Sequence, residues 1–276
     1  MKKQIALLLL LSMFSVFFTE SVLADAQSGG PGYSGPGASA YGSGSETLST
    51  VFSAEKERKL YAVMEELGRQ LLDQGHAKVE IDSDIETEEI TEYLCYVYLL
   101  GTVPQCSDIV VHRFRDPGQR DYIEIVSPSE QTLRAFRTHR EVTEYVRTQL
   151  AGRDPSLETV LELCSGIASS TSYDGAYGYE GAYGLITEGR GVCDGYSKLF
   201  NAYMRELGIE SRMVVGYIAG REAEGLHSWN VLDIGGTTYT CDLTWAVTGS
   251  GSDISRILVQ DDSFMLGEAR SIIGIY

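Results

Sequence analysis

Apolar residues recur at helical spacing along much of the chain. In "SAEKERKLYAVMEELGRQLLDQG", Leu60, Val63, Met64, Leu67 and Leu71 share one face and Gly75 closes the segment, which predicts a helix. "ETEEITEYLCYVYLLG", Glu86 to Gly101, predicts a second helix; its acidic first turn suits the positive end of the helix dipole, and Glu86 to Glu92 form a solvated face. The pattern then changes to alternation. "DIVVHRFRDPGQRDYIEIVSP" alternates on both sides of Asp116, Pro117 and Gly118, predicting a β-hairpin that Pro128 ends. Two helices follow, "SEQTLRAFRTHREVTEYVRTQL" and one opened by "DPSLE", with Asp154 as its cap and Pro155 in the first helical position. Leu157, Val160, Leu161, Cys164 and Ile167 share a face of the second, which makes Cys164 a core residue. "SYDGAYGYEGAYGLITEGRG" writes GAYG twice, too short for a structural repeat, and reads as a mobile surface loop leading into Cys193. After Cys193, the positions Tyr196, Leu199, Phe200, Tyr203, Met204 and Leu207 are again helical, and Gly208 ends the run. "LHSWNVLDIGGTTYTCDLTW" alternates around Gly235 and Gly236, a pair suited to a two-residue hairpin turn.

The chain's beginning follows other rules. Lys2 and Lys3, an apolar run from Ile5 to Phe18 and small residues near Ala24 read as a secretory signal peptide, residues 1–24, with no stable membrane insertion after cleavage. Residues 25–45 are Gly, Ser, Pro and Tyr rich and read as a flexible linker. That leaves an N-terminal α+β region over 46–127 and a second unit over 128–276, an α+β organisation overall. The 276 residues are 43% apolar, a globular share, and carry a formal charge of −17. Such acidity repels phosphate backbones and argues against a nucleic-acid partner.

Five cysteines occur in this export-competent chain, so at least one thiol is unpaired within a monomer. Cys95 and Cys106 flank Gly101 and Pro104 and suit either a disulfide across a turn or two core thiols. No CxxC or Cys/His cluster has zinc spacing, and neither a metal nor another cofactor is expected.

Cys193 differs from the others because it opens a helix. Unpaired N–H groups and the helix dipole there stabilise a thiolate, and the same N–H groups can stabilise an oxyanion, although a buried structural cysteine fits this stretch equally. The downstream hairpin shifts the balance. If Ile234 and Thr237 flank the turn, Asp242 lies opposite Trp229 and diagonal to His227, close enough for imidazole and carboxylate to meet. Cys241 and Asn230 then point to the other face; a single bulge would reverse this. The outcome is a thiol, a base and an acid that orients the base.

Three motifs now stand in order: Gly191-Val192-Cys193-Asp194-Gly195-Tyr196, His227-Ser228-Trp229-Asn230 and Asp242-Leu243-Thr244-Trp245. Together they resemble the transglutaminase-like superfamily in its bacterial secreted branch, most strongly from Ser172 to Trp245. Ser228 departs from the usual alanine of the His-Ala-Trp-Asn strand. The resemblance implies a papain-like core, with a Cys-bearing helix packed on an antiparallel sheet that carries His and Asp. It implies Cys193 as nucleophile, His227 as general base and acid, and Asp242 as orienter, with the Asp-x-Thr-Trp motif on a strand. Tyr183 and Trp229 are candidate oxyanion or substrate contacts, set against packing roles for both. The glycines around Cys193 are expected to let substrate approach.

The expected chemistry is attack on an amide carbonyl of an extracellular or cell-wall protein or peptide, through a thioacyl intermediate. Hydrolysis by a peptidase or amidase is favoured. Protein cross-linking by glutamine transamidation is the alternative, and a non-catalytic binding or scaffold module of the cell surface is a third reading.

Overall fold

The structure, a computed structural model, describes residues 52–114, 118–175, 180–218, 226–248, 258–260 and 269–275. The expected signal peptide and linker lie outside the described residues. Helix α1, Ala54–Gln74, is capped by Ser53, whose hydroxyl accepts from the Lys56 N–H, and ends at Gly75. Its apolar stripe, Leu60, Met64, Leu67 and Leu71, is buried. Strand β1, Ala77–Ile81, pairs antiparallel with β3, Asp121–Ile125, which pairs with β2, Val110–His112. The hairpin over β2 and β3 is therefore present, although Asp116 and Pro117 fall outside the described residues.

The segment Glu86 to Gly101 departs from a single helix. Helix α2, Thr87–Glu92, gives way to a π-helical turn over Tyr93–Tyr98, closed by the Leu99 N–H donating to the Leu94 carbonyl at 2.9 Å. The run Tyr93 to Leu100 is almost continuously apolar and, apart from Tyr96, buried, so no one-sided 3.6-residue stripe holds it to an α-helix.

Helix α3, Glu130–Leu150, is capped by Ser129. Helix α4, Leu157–Ser170, begins later than its sequence suggests: Ser156, not Asp154, accepts from the Thr159 N–H. Ser156 wins because it immediately precedes the helix and has extended backbone, the geometry that lets a hydroxyl turn back on the first turn. Beyond it lie β4, Ser172–Tyr173, α5, Gly181–Glu188, and β5, Arg190–Gly191, with β4 and β5 parallel. The expected surface loop thus contains a helix. Gly181, Ala182, Gly184 and Leu185 are buried, and the Ala182 N–H donates to the Leu100 carbonyl at 2.7 Å, so packing overrides weak local propensity.

Helix α6, Cys193–Leu207, leads into β6, Glu210–Ile218, then β7, His227–Ile234, and β8, Thr237–Cys241. With β9, Leu258–Val259, and β10, Ala269–Ile275, these form an antiparallel sheet ordered β10-β6-β7-β8-β9. Ile234 pairs with Thr237, and Gly235 and Gly236 have φ of 63° and 80°, as a two-residue hairpin turn requires. The strand stops at Cys241. Helix α7, Leu243–Thr248, replaces the expected Asp-x-Thr-Trp strand because an Asp242 carboxylate oxygen accepts from the Thr244 N–H at 3.0 Å, which favours a turn.

The architecture is α+β, with two large cores and a smaller cluster around Trp229. One packs α1, the β1-β3-β2 sheet and the π-turn against Ala135 and Phe136 of α3 and Met213 and Val215 of β6. The other packs α4, α5 and α6 on the face of the hairpin that carries Leu232 and Cys241. Cys164 and Cys241 are both fully buried there, their sulfurs 3.9 Å apart. Cys95 is buried, whereas the Cys106 side chain, and with it the Cys95–Cys106 pairing, lies outside the described residues.

Candidate active site

Cys193 is the first residue of α6 and is buried. The preceding Val192 is extended and supplies no side-chain cap, which leaves the first-turn N–H groups without a capping side chain beside the thiol. Two glycines fix the seat of this helix end. A Cβ on Gly191 would meet the Leu185 side chain at 2.8 Å, and one on Gly195 would meet the Gly181 carbonyl oxygen at 2.6 Å. Both glycines therefore admit α5 against the start of α6; their close neighbours are protein atoms, which replaces the expectation that they make way for substrate.

A buried polar network then sets α6 against β7. Asn230 donates through Nδ2 to the Ser197 carbonyl at 3.1 Å and to Asn201 Oδ1 at 2.8 Å, while Ser211 donates to the same Asn201 oxygen at 2.6 Å. Ser197 and Ser228 hydroxyls lie 3.2 Å apart. Ser228 thus has its partner one helical turn below Cys193.

His227 opens β7 and Asp242 follows β8, so both stand at the end of the hairpin opposite its glycine turn. His227 Nε2 lies 2.6 Å from Asp242 Oδ2, and the Cys193 thiol hydrogen-bonds the same imidazole. Burial works against the imidazolium, but the charge and hydrogen bond of Asp242, joined by Cys193, outweigh it and raise the His227 pKa from 6.5 to about 10. Asp242 is itself buried and held by both oxygens, one on His227 and one on the Thr244 N–H.

The thiol and imidazole share a small cavity. Tyr96, Met213, Val215 and Leu226 supply its apolar walls. Its polar lining includes Asp194, buried and 3.3 Å from the Lys198 ammonium, itself almost fully buried one turn along α6. Sequence reasoning missed these residues. Asp194 and Lys198 carried a readable signal in their i, i+4 spacing. Tyr96 carried none, since the π-turn that aims it follows from packing.

The two remaining candidates are placed away from the thiol. Tyr183 lies half-buried on α5, where burial and the nearby Glu141, which its hydroxyl hydrogen-bonds, raise its pKa; it is not among the cavity's lining residues. Trp229 is completely buried and packs with Val214, Val231, Trp245 and Ile275 on the sheet face away from α6. Its ring stacks on that of His227 at 6.0 Å between centroids, so it backs the imidazole and offers no surface to a substrate. Among the described residues, no group of three or more His, Cys, Asp or Glu is placed to hold a metal ion, and no helix is long and apolar enough to cross a membrane.

A thiol at a helix start, an imidazole and a carboxylate on one hairpin end define a thiol–imidazole–carboxylate site. Residues 143–242 match the family described as the Transglutaminase-like superfamily. Cys193, His227 and Asp242 all fall inside the matched segment, Asp242 as its last residue. Several solved structures share similarity with the chain, three of them as follows. One is described as a candidate cysteine protease from Cytophaga hutchinsonii, at 16% identity over 60% of this chain and 73% of that one, TM-score 0.34. The second, described as a TGase, is 11% identical over 68% of this chain and 56% of that one, TM-score 0.28. The third is the periplasmic domain of TgpA from Pseudomonas aeruginosa bound to ethylmercury, 14% identical over 56% of this chain and 70% of that one, TM-score 0.32. No curated protein matches the chain.

Proposed function

We propose that this protein is a secreted thiol enzyme that attacks amide carbonyls of extracellular or cell-wall proteins or peptides, with hydrolysis as its principal outcome. The observation that carries the proposal is His227 held between the Asp242 carboxylate and the Cys193 thiol at an uncapped helix start. An imidazolium that stays protonated at neutral pH is the natural counter-ion of a thiolate. In the first step the Cys193 sulfur forms a C–S bond to the carbonyl carbon, the C–N bond breaks, and His227 delivers its proton to the departing amine. First-turn N–H groups of α6 stabilise the oxyanion between these events. In the second step His227 takes a proton from water, the hydroxide adds to the thioester carbon, and the C–S bond breaks to release the acid and return the Cys193 thiolate beside the imidazolium. Asp242 keeps the imidazole oriented and balances its charge throughout.

If a lysine amine replaces water in the second step, the same residues cross-link proteins; the site chemistry is otherwise identical. Retention of all three residues argues against a purely structural module. The test offers a glutamine-containing protein and a fluorescent primary amine, following amine incorporation and the release of ammonia or peptide together. Ammonia or peptide release that exceeds amine incorporation supports hydrolysis, and incorporation as the main product reassigns the enzyme to transamidation. Cys193→Ala abolishes whichever signal appears. Undiminished turnover by that variant would overturn the assignment.

A further inference from the structure

The N-terminal region reaches the reaction centre through one side chain. Tyr96 lies outside the family-matched residues 143–242, on the π-turn Tyr93–Tyr98, yet it lines the cavity that holds Cys193 and His227. Met213 and Val215 of β6 and Leu226 at the entry to β7 line the cavity too. We propose that Tyr96 is a specificity-determining residue and that, with Met213, Val215 and Leu226, it forms a subsite for an aliphatic side chain next to the scissile carbonyl. The proposal rests on the thiol-enzyme reading above and adds to it the substrate class.

Two observations and a general property of π-turns support the assignment. The π-turn places Tyr96 at the cavity while its neighbours Tyr93, Leu94, Val97 and Tyr98 are all buried in the adjoining core. A π-turn shifts side-chain direction relative to an α-helix, and such turns concentrate at functional sites. The turn is also tied to the nucleophile helix: Arg205 of α6 donates to the Val97 carbonyl at 3.1 Å, so Tyr96 and Cys193 are mounted on joined elements. A wall fixed in this way loses little conformational freedom when substrate arrives.

The wall chemistry selects among side chains. Met213, Val215 and Leu226 offer no polar atom, so a charged substrate group placed among them is desolvated without compensation. Asp194, the one carboxylate in the lining among the described residues, already has the Lys198 ammonium 3.3 Å away, which reduces its attraction for a substrate cation. An aliphatic group gains burial at no such cost.

The test uses the full chain and N-benzyloxycarbonyl chloromethyl ketones of glycine, leucine, lysine and glutamate, with iodoacetamide as a reagent that carries no side chain. Second-order rates of Cys193 alkylation are read by intact mass. The leucine reagent is expected to outpace the glycine reagent by about 10–100-fold, with lysine and glutamate well below leucine. In Tyr96→Ala the leucine-to-glycine ratio is expected to collapse to within about 3-fold, and in Tyr96→Phe to be kept, because the ring is what forms the wall. Ratios within each variant cancel any general change in thiol reactivity. An unchanged ratio in Tyr96→Ala overturns the role of Tyr96, and a lysine reagent faster than leucine overturns the aliphatic subsite in favour of recognition by Asp194. Failure of the underlying triad reads differently: iodoacetamide would then label the parent and His227→Ala equally slowly.

Discussion

Gly195 and Gly181 meet backbone to backbone: a Cβ on Gly195 would lie 2.6 Å from the Gly181 carbonyl oxygen. The contact seats the start of α6 on α5, so any side chain there has to push the two helices apart. Gly195→Ala is expected to destabilise the fold by about 1–3 kcal/mol through overpacking and to slow Cys193 alkylation, because the helix start moves. Gly166→Ala is the contrasting variant. It sits in α4 with nothing within 4 Å of the added methyl, and is expected to gain roughly 0.5–1 kcal/mol from helix propensity. Urea denaturation of both variants checks the pair, and equal effects would remove the Gly195–Gly181 contact as the cause.

The His227–Asp242 pair makes stability depend on pH in a definite direction. A histidine near 6.5 in the unfolded chain and about 10 in the folded one binds an extra proton in the native state between those values. Its contribution is therefore complete below pH 6.5 and is lost as pH rises toward 10. Parent and His227→Gln are expected to converge in unfolding free energy across that window, measured by urea denaturation at successive pH values. Parallel curves would show that the pair does not hold an imidazolium.

Asp242→Asn tests orientation against charge. The amide can still be hydrogen-bonded, but it no longer balances an imidazolium. Turnover is expected to fall about 10²–10⁴-fold, and the alkaline limb of the iodoacetamide pH profile to move to lower pH, since the largest favourable influences on His227 are removed. An unshifted limb would separate Asp242 from the titration of His227.

Asn230 is the joint between α6 and β7. Asn230→Ala leaves the Ser197 carbonyl and the Asn201 side chain with fewer partners in a buried place and is expected to cost about 1–3 kcal/mol. Ser228→Ala removes only the Ser197 hydroxyl contact, so a loss of about 0.5–1.5 kcal/mol is expected. Thermal unfolding of the two variants and of the double variant measures their coupling; strict additivity would argue against one shared network.

Trp229 supports the imidazole from behind. Trp229→Ala is expected to cost about 3–5 kcal/mol, as befits a fully buried indole. Trp229→Phe should cost less, because it keeps the stacking ring while removing an indole N–H that has no hydrogen-bond partner among the described residues. Denaturation curves rank the two, and a larger loss in the phenylalanine variant would show that the N–H is engaged.

The sequence by itself determined the elements whose causes are local. The stripe from Leu60 to Leu71 with Ser53 and Gly75 at its ends, the helix after Cys193 and the Gly235-Gly236 hairpin all obey short-range periodicity and turn chemistry. Because a two-residue turn fixes register, the meeting of His227 with Asp242 was legible from residue spacing alone. Tertiary structure decided everything that depends on what lies across a gap in sequence. Gly181–Glu188 is a helix because Leu100 and the start of α6 receive it, and Gly195 serves that packing. Ser156 displaced Asp154 as a cap through backbone geometry, and Asp242 ended its strand by bonding Thr244. Tyr96 reaches the thiol only because an unbroken apolar run, buried on nearly every side, settles into a π-turn. Periodicity records which residues avoid water, but which neighbour they meet is set by the packed core.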